Sequence, residues 1–397
     1  MSASPQKSWI RRHPKTTIVV TVLFFTLFFD LVGTGIYHLA KYGTLHKYEY
    51  LRVMRIKDPV FHHTLKPEAE YTLEKWGGTQ YILITNSLGF KDRQVRDVPL
   101  ESASRRVLFI GDSFTEGVGY GYDQTFVGRI DIAFADRQIE VLNAGVASYS
   151  PIMYYAKVNH LLKTVGLKFD DLVVFLDISD IHDETGYELE NGQVIPNAIP
   201  SSVSVLRGFF FEYTMIPRNI WSTSEKLCRK FVKDPDSHPR SKEDHSYGTN
   251  TYRSLWTIED SIYEAYGEEG LQRSRQHMNL LYQLLKDHGI TMTVAVYPQP
   301  DQILHHDLDS RQVKFWQAWA REHSVPFLNF FPDFIQEGQD PKEAIRKYFI
   351  PGDLHWNDEG HRLITEKFLE RWQPANPLDG EAVVAGAEGA SNRSGLQ

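Results

Sequence analysis

The segment Val107-Leu-Phe-Ile-Gly-Asp-Ser-Phe-Thr-Glu-Gly-Val-Gly119 constrains this chain more than any other. Its four apolar residues lack the polar alternation of a half-exposed strand, so they predict a strand covered on both faces. Gly111-Asp112-Ser113 then breaks the run, and Gly117 and Gly119 follow shortly after. A strand ending in such a turn can present one hydroxyl, that of Ser113, at the C-terminal edge of a sheet, where open α/β folds bind ligands. Serine is a poor nucleophile unless a base can take its proton. The candidate base lies 242 residues on, in Gly352-Asp-Leu-His-Trp-Asn-Asp-Glu-Gly-His361.

Within that second segment Asp353 precedes His355 by two positions. In extended chain, residues i and i+2 face the same side. The carboxylate can therefore take the Nδ1 proton of His355 and leave Nε2 free for Ser113. Asn357 or Asp358 is available to cap the helix that follows. His361, at the opening of that helix, is the rival base.

From residue 105 onward, apolar runs at 107–110, 141–142, 172–176, 291–297 and 325–331 read as strands. Helical candidates lie at 125–136, 151–165, 259–288 and 311–322, and another follows Gly360. Strand and helix in alternation predict a parallel sheet with helices on both faces. Residues 184–258 interrupt the alternation with an aromatic block, Gly208 to Ile216, and a charged stretch, Lys233 to His245. Residues 41–104 read as a small β-rich prelude packed on the domain. Its His62-His63 pair is expected to point to opposite faces, on a solvated surface. Residues 374–397, rich in Ala, Gly and Ser, are expected to be disordered.

The N-terminus carries a second strong signal. Residues 16–40 include one charge, Asp30, in twenty-five positions. As a helix they extend roughly 37 Å, enough to cross a bilayer. Lys7, Arg11, Arg12 and Lys15 precede the stretch, and Lys41, Lys47, Arg52 and Arg55 follow it. The basic counts balance, with a slight edge to the N-terminal cluster because it sits closer to the span. No convincing cleavage site follows the stretch. An uncleaved signal anchor is expected, with residues 1–15 as a cytoplasmic tail and the main domain outside the cytoplasm, in a periplasm or its equivalent. Asp30 is costly at mid-bilayer and marks either a functional group or a helix neighbour.

The two segments around Ser113 and His355 resemble the SGNH/GDSL hydrolase family, over residues 105–373. The resemblance rests on Gly-Asp-Ser-x-Thr-x-Gly after a strand and on Asp-x-His-Trp-Asn-x-x-Gly-His near the C-terminus. It implies a flavodoxin-like three-layer α/β/α fold with a parallel sheet. It also implies a catalytic set of Ser113, His355 and Asp353. Much of the family places the aspartate three residues before the histidine. The spacing of two followed by Trp356 is similar to bacterial alginate O-acetyltransferases and related proteins, and raises the weight on acyl transfer to polysaccharide.

For the oxyanion, the resemblance implies the backbone N–H of Ser113 and that of Gly145, in Val141-Leu-Asn-Ala-Gly-Val-Ala-Ser-Tyr149. The family's third donor, an asparagine in Gly-x-Asn-Asp, is replaced. Asp177, Ser179 and Asp180 stand at the Gly, Asn and final Asp positions, and the shorter Ser179 hydroxyl is the remaining candidate.

The net charge of −8 gives no reason to expect nucleic acid as a partner. A single cysteine, Cys228, excludes an intrachain disulfide framework. Asp177, Asp180, Asp183 and Glu184, and the run His305 to Asp309, could offer metal ligands, but neither has a recognisable spacing. No metal or cofactor is expected. The expected partners are the membrane, an acylated carbohydrate substrate and a polysaccharide-modification complex. The alternative from another class is a catalytically degenerate scaffold that binds polysaccharide or a partner in such a complex.

Overall fold

The computed structural model describes residues 12–42, 54–70, 72–197, 209, 213–217, 219–220, 247–249 and 251–374. It divides into two compact units, one of Met1–Met54 with Ala198–Ser237, the other of Arg55–Asn197 with His238–Gln397. The charged stretch 233–245, Cys228 and the tail beyond residue 374 lie outside the described residues.

The second unit opens with two antiparallel hairpins, β1 (Arg55–Asp58) with β2 (His62–Leu65) and β3 (Thr72–Trp76) with β4 (Thr79–Leu83). Five parallel strands follow: β5 (Arg105–Ile110), β6 (Ile139–Asn143), β7 (Asp171–Leu176), β10 (Thr291–Val296) and β11 (Phe327–Asn329). Between β7 and β10 a further hairpin, β8 (Tyr187–Glu190) with β9 (Gln193–Pro196), begins the insertion. The sheet order is β11-β10-β7-β5-β6. Counted from the first strand this is 2-1-3-4-5, the flavodoxin-like order, with its topological switch between β5 and β7.

Beyond Arg105 and Arg106 of β5 and Asp171 of β7, the two strands are apolar, because both faces are covered there. Val107 to Ile110 and Leu172 to Phe175 are inaccessible to solvent, each such side chain stabilising the fold by roughly 1.5–3 kcal/mol relative to exposure. One face is covered by α3 (Phe126–Phe134) and α9 (Asp358–Arg371), through Phe126 against Phe175 and Phe368 against Phe109. On the other side lie α4 (Pro151–His160), α6 (Glu268–Asp287) and α7 (Arg311–His323), with Trp319 of α7 donating to Asn279 of α6. The predicted helix 259–288 is interrupted by a widened turn at Tyr263–Gly267, where Gly267 approaches Trp256. α8 (Pro341–Tyr348) was not anticipated, although Asp340 caps it and Pro341 opens it.

The first unit contains α1 (Pro14–Tyr42). Pro14–Ala40 of this helix, with a mean hydropathy of 2.1, is long and apolar enough to cross a membrane.

Candidate active site

β5 ends at Ile110, and Gly111 lets the turn fold back on itself. A β-carbon there would meet Thr115 Oγ1 at 2.1 Å and the Phe175 carbonyl at 2.8 Å. Asp112 caps the short helix α2 (Ser113–Glu116) by accepting from the Phe114 N–H at 2.9 Å. This sets Ser113 at the first helical position, at the switch point of the sheet.

His355 arrives on the loop between α8 and α9. That loop is fixed by Ile350 N–H to the His355 carbonyl and Asp353 N–H to the Ile350 carbonyl, each 2.9 Å. Asn357 caps α9 through the Gly360 N–H at 3.1 Å. The fully buried Trp356 packs against Phe114, Tyr297 and Phe334, anchoring the histidine beside it. Ser113 Oγ lies 2.7 Å from His355 Nε2, and His355 Nδ1 lies 2.5 Å from Asp353 Oδ1. Asp353 also accepts from the His355 backbone N–H at 3.0 Å. His361 is elsewhere: it is buried beside Trp356 and Phe126, and its Nδ1 accepts from the Phe126 N–H at 3.3 Å. Burial, then the charges of Lys91 and Arg129, hold it neutral.

One participant was missed in the sequence. Trp76, at the end of β3, has its indole Nε1 3.0 Å from His355 Nδ1. When Nδ1 carries the proton that goes to Asp353, the indole N–H cannot also donate to Nδ1. Its acceptor is then the Asp353 carboxylate, with which it also bonds. Burial raises the pKa of that carboxyl, but the hydrogen bond and charge of His355 and the Trp76 N–H outweigh burial and hold it below the usual range. Two glycines make room for it. A β-carbon on Gly77 (φ 51°) would stand 2.8 Å from Asp353 Oδ2, and one on Gly248 (φ 67°) would overlap the Asp353 carbonyl. The Trp-Gly-Gly turn at 76–78 was the only signal in the sequence.

Backbone donors around the serine sort themselves by accounting. In the loop after β6, Ala144 N–H bonds Phe109 O, Gly145 N–H bonds Asn143 Oδ1 at 3.0 Å, and Val146 N–H bonds Gly111 O. Ala147 N–H bonds the buried Glu116 carboxylate at 2.8 Å. Gly145, the expected donor, is thus committed to a side chain and does not line the cleft around Ser113. Ser148 does line it, held at φ 65°, and its N–H meets no acceptor among the described residues. The same is true of the Ser113 N–H. The Ser179 hydroxyl also lines the cleft, but it donates to Asp177 Oδ1 at 2.5 Å and must rotate away to meet an oxyanion.

The loop is braced from below by the first hairpin. Arg55 of β1 pairs with Glu116, and His63 of β2 bonds the Ala147 carbonyl at 2.9 Å. Burial lowers the pKa of His63 to about 4, so it is neutral. His62 and His63 do not point apart as expected. His62 has φ 70°, which breaks the alternation and brings the two Nδ1 atoms to 2.9 Å.

Behind Ser113, the carboxylates of Asp112, Asp177 and Asp180 are buried, with oxygens within 4.8 Å of one another. Asp112 Oδ2 lies 3.0 Å from Ser113 Oγ, and Asp180 accepts from the Tyr154 hydroxyl at 2.7 Å. Burial, then the charge of Asp177, pushes the Asp112 carboxyl well above the usual range. Burial and the two neighbouring acids do the same to Asp180. A neutral Asp112 adds no charge of its own against an oxyanion forming beside Ser113. Asp183 and Glu184, grouped with these acids in the sequence, pair instead with Arg253 and His277. In the His305–Asp309 run, Asp307 accepts from Thr257 and Asp309 pairs with Lys314.

The cleft has a volume of about 390 Å³, and Lys75, Trp76, Arg253 and Asp183 are among its lining residues. A larger cavity of about 580 Å³, lined by Asp171 and Thr291, lies at the opposite edge of the sheet, away from Ser113.

Solved structures match part of the chain at low identity. A putative lipolytic protein of the G-D-S-L family from Desulfitobacterium hafniense DCB-2 is 15% identical, with a TM-score of 0.34, covering 68% of this chain and 100% of that one. TesA is 12% identical (TM-score 0.37; 68% and 99% covered), and an acetyl xylan esterase, AlAXEase, is 13% identical (TM-score 0.36; 67% and 98% covered). No protein-family model matches the chain, and no curated protein matches it. These likenesses are too distant to carry an argument about chemistry, which rests on the side-chain geometry.

Proposed function

We propose that this protein is a serine esterase or O-acyltransferase, held at a membrane by α1, that acts on acyl esters of a carbohydrate. The observation that carries the reading is the Ser113–His355–Asp353 chain, 2.7 Å and 2.5 Å between successive polar atoms. Ser113 Oγ attacks the ester carbonyl as its proton passes to His355 Nε2, and Asp353 stabilises the imidazolium. The N–H groups of Ser113 and Ser148 receive the oxyanion; this moves the second donor from Gly145 to Ser148. On collapse the carbonyl–oxygen bond breaks, the leaving alkoxide takes the proton from Nε2, and an acyl-serine remains. Water, deprotonated by the same imidazole, releases the acid; a sugar hydroxyl in its place yields the transferred ester.

The cleft favours a short acyl group on a polar alcohol. Its lining offers an indole, a lysine and an Arg253–Asp183 pair, which suit sugar hydroxyls better than an alkyl chain. Acetyl is the acyl group this supports, and an extracytoplasmic glycan the substrate. The deciding test supplies a chromogenic acetyl ester with and without candidate glycans and follows free acetate and acetylated glycan. Acetate release alone supports hydrolysis. Acetylated glycan supports transfer. Neither, from folded protein, contradicts the reading.

One observation favours a non-catalytic scaffold instead. The Gly145 N–H and the Ser179 hydroxyl, two of the expected oxyanion donors, are both bonded within the protein. Under that reading Ser113 does not react with an activated phosphonate.

A further inference from the structure

α1 is built inside out. Ile18 and Phe29 are 63% and 65% exposed, whereas the polar Thr34 and His38 are 2% and 1% exposed. The covered or half-covered positions in its later half, Leu27, Asp30, Leu31, Thr34, Gly35 and His38, recur every three or four residues and so form one stripe. A soluble helix buries an apolar stripe. This one buries an acid, a hydroxyl and an imidazole.

The partner of the stripe lies within the same compact unit, in the insertion. Asp30 accepts from the backbone N–H of Met215 at 3.2 Å and from that of Ile216 at 3.1 Å. The chain is helical at Tyr213, breaks at Thr214 and Met215, and is helical again from Ile216, with Pro217 next. A break of this kind frees backbone N–H groups, and in hydrocarbon those must be satisfied by the protein itself. Asp30 supplies the acceptors, and the two bonds offset part of the cost of an acid at that depth. Thr214 is fully buried while Ile216 and Ile220 are 46% and 65% exposed, the same inversion as in α1. Asp30 precedes Ala40 by ten residues. That is about 15 Å of helix, half the thickness of the hydrocarbon core.

We propose that the insertion contributes a second membrane element: its described residues 213–217 and 219–220 re-enter the bilayer to about its midplane and pack on the polar stripe of α1, with Ile216 and Ile220 facing lipid. The proposal rests on reading α1 as a membrane span.

The test uses the full-length protein in vesicles of phosphatidylethanolamine and phosphatidylglycerol. Cys228, the only cysteine, is replaced by serine. A nitroxide is attached through Ile216→Cys, Ile220→Cys or Leu308→Cys, the last on an exposed side chain of the other unit. Collision with oxygen, which concentrates in lipid, is compared with collision with a water-soluble nickel chelate. At positions 216 and 220 the oxygen-to-nickel ratio is expected to exceed that at 308 by about tenfold, because water is absent from the hydrocarbon. Adding Asp30→Ala is expected to move both ratios toward that of 308, with the ratio at 308 unchanged. Resistance of the chain to carbonate extraction tests the α1 reading separately. If the protein resists extraction but 216 and 220 match 308, the re-entrant segment is refuted and the anchor stands. If carbonate releases the protein, the anchor itself is refuted.

Discussion

The indole nitrogen of Trp76 stands 3.0 Å from Nδ1 of His355, a residue 279 positions away. A hairpin that lies outside the central sheet thus closes one side of the His355–Asp353 pair. Asp353 receives the His355 side chain, the His355 backbone and the Trp76 indole. Its charge is stabilised by geometry contributed from both ends of the domain.

Trp76→Phe keeps the ring and removes the indole N–H. The lost donor leaves Asp353 a stronger acceptor for the His355 proton, so the imidazolium is favoured and the acidic limb of kcat/KM is expected to shift to higher pH. Because the same change stabilises the imidazolium that forms during attack, kcat above that limb is expected to be retained within about tenfold. An unchanged pH profile would show that Trp76 only shapes the cleft.

Gly77→Ala places a methyl group 2.8 Å from Asp353 Oδ2 in a backbone conformation that already disfavours a side chain. The carboxylate must move, and misplacement of a reacting group by an ångström costs up to about a hundredfold in rate. The expected result is a loss of kcat of that order with little change in KM and a cooperative thermal unfolding transition. Full activity would mean that Asp353 does not need its present position.

Lys157 tests the electrostatics of the core beneath the loop after β6. It is buried, donates to the Ala144 carbonyl at 3.1 Å and lies over the rings of Tyr149, Phe90 and Phe61. Burial lowers its pKa from the ordinary 10.5 to about 7. Between pH 7 and 10.5 the unfolded chain therefore holds a proton that the native one lacks, and stability from this group rises with pH across that window. Below pH 7 the buried charge costs its full amount. Lys157→Met is expected to stabilise the protein most at pH 6, and by roughly 2 kcal/mol less at pH 9, in urea unfolding. A pH-independent difference would show that Lys157 titrates as an ordinary lysine.

Much of the sheet was readable because periodicity carries it. The unbroken apolar runs at 107–110 and 172–176 leave no choice but strands covered on both faces. Asp353 and His355 were readable as a pair from their close spacing. The chain nevertheless joins them through a bend, closed by the His355 N–H on the Asp353 side chain, and not through the extended segment expected. What remained hidden depended on backbone conformation rather than residue type. Gly145 was assigned from the family resemblance, whereas its N–H bonds Asn143, and the N–H that meets no acceptor among the described residues is that of Ser148, held in a left-handed conformation. His62 departs from strand alternation for the same reason. The Ser179 hydroxyl was assigned without Asp177, whose replacement of the expected glycine supplies an acceptor two residues away. Trp76 lay in a stretch with no strong period, and only the folded hairpin brings it to His355. The stripe from Leu27 to His38 was in plain view in the sequence, but its partner in the insertion was not.

The account is tested most directly by mass-spectrometric mapping of a fluorophosphonate adduct on the full-length protein at neutral pH. Phosphonylation is expected on Ser113, abolished by Ser113→Ala and slowed by about a thousandfold or more in His355→Ala, since the imidazole takes the hydroxyl proton. Folded wild-type protein that acquires no adduct, or acquires one elsewhere, would contradict it.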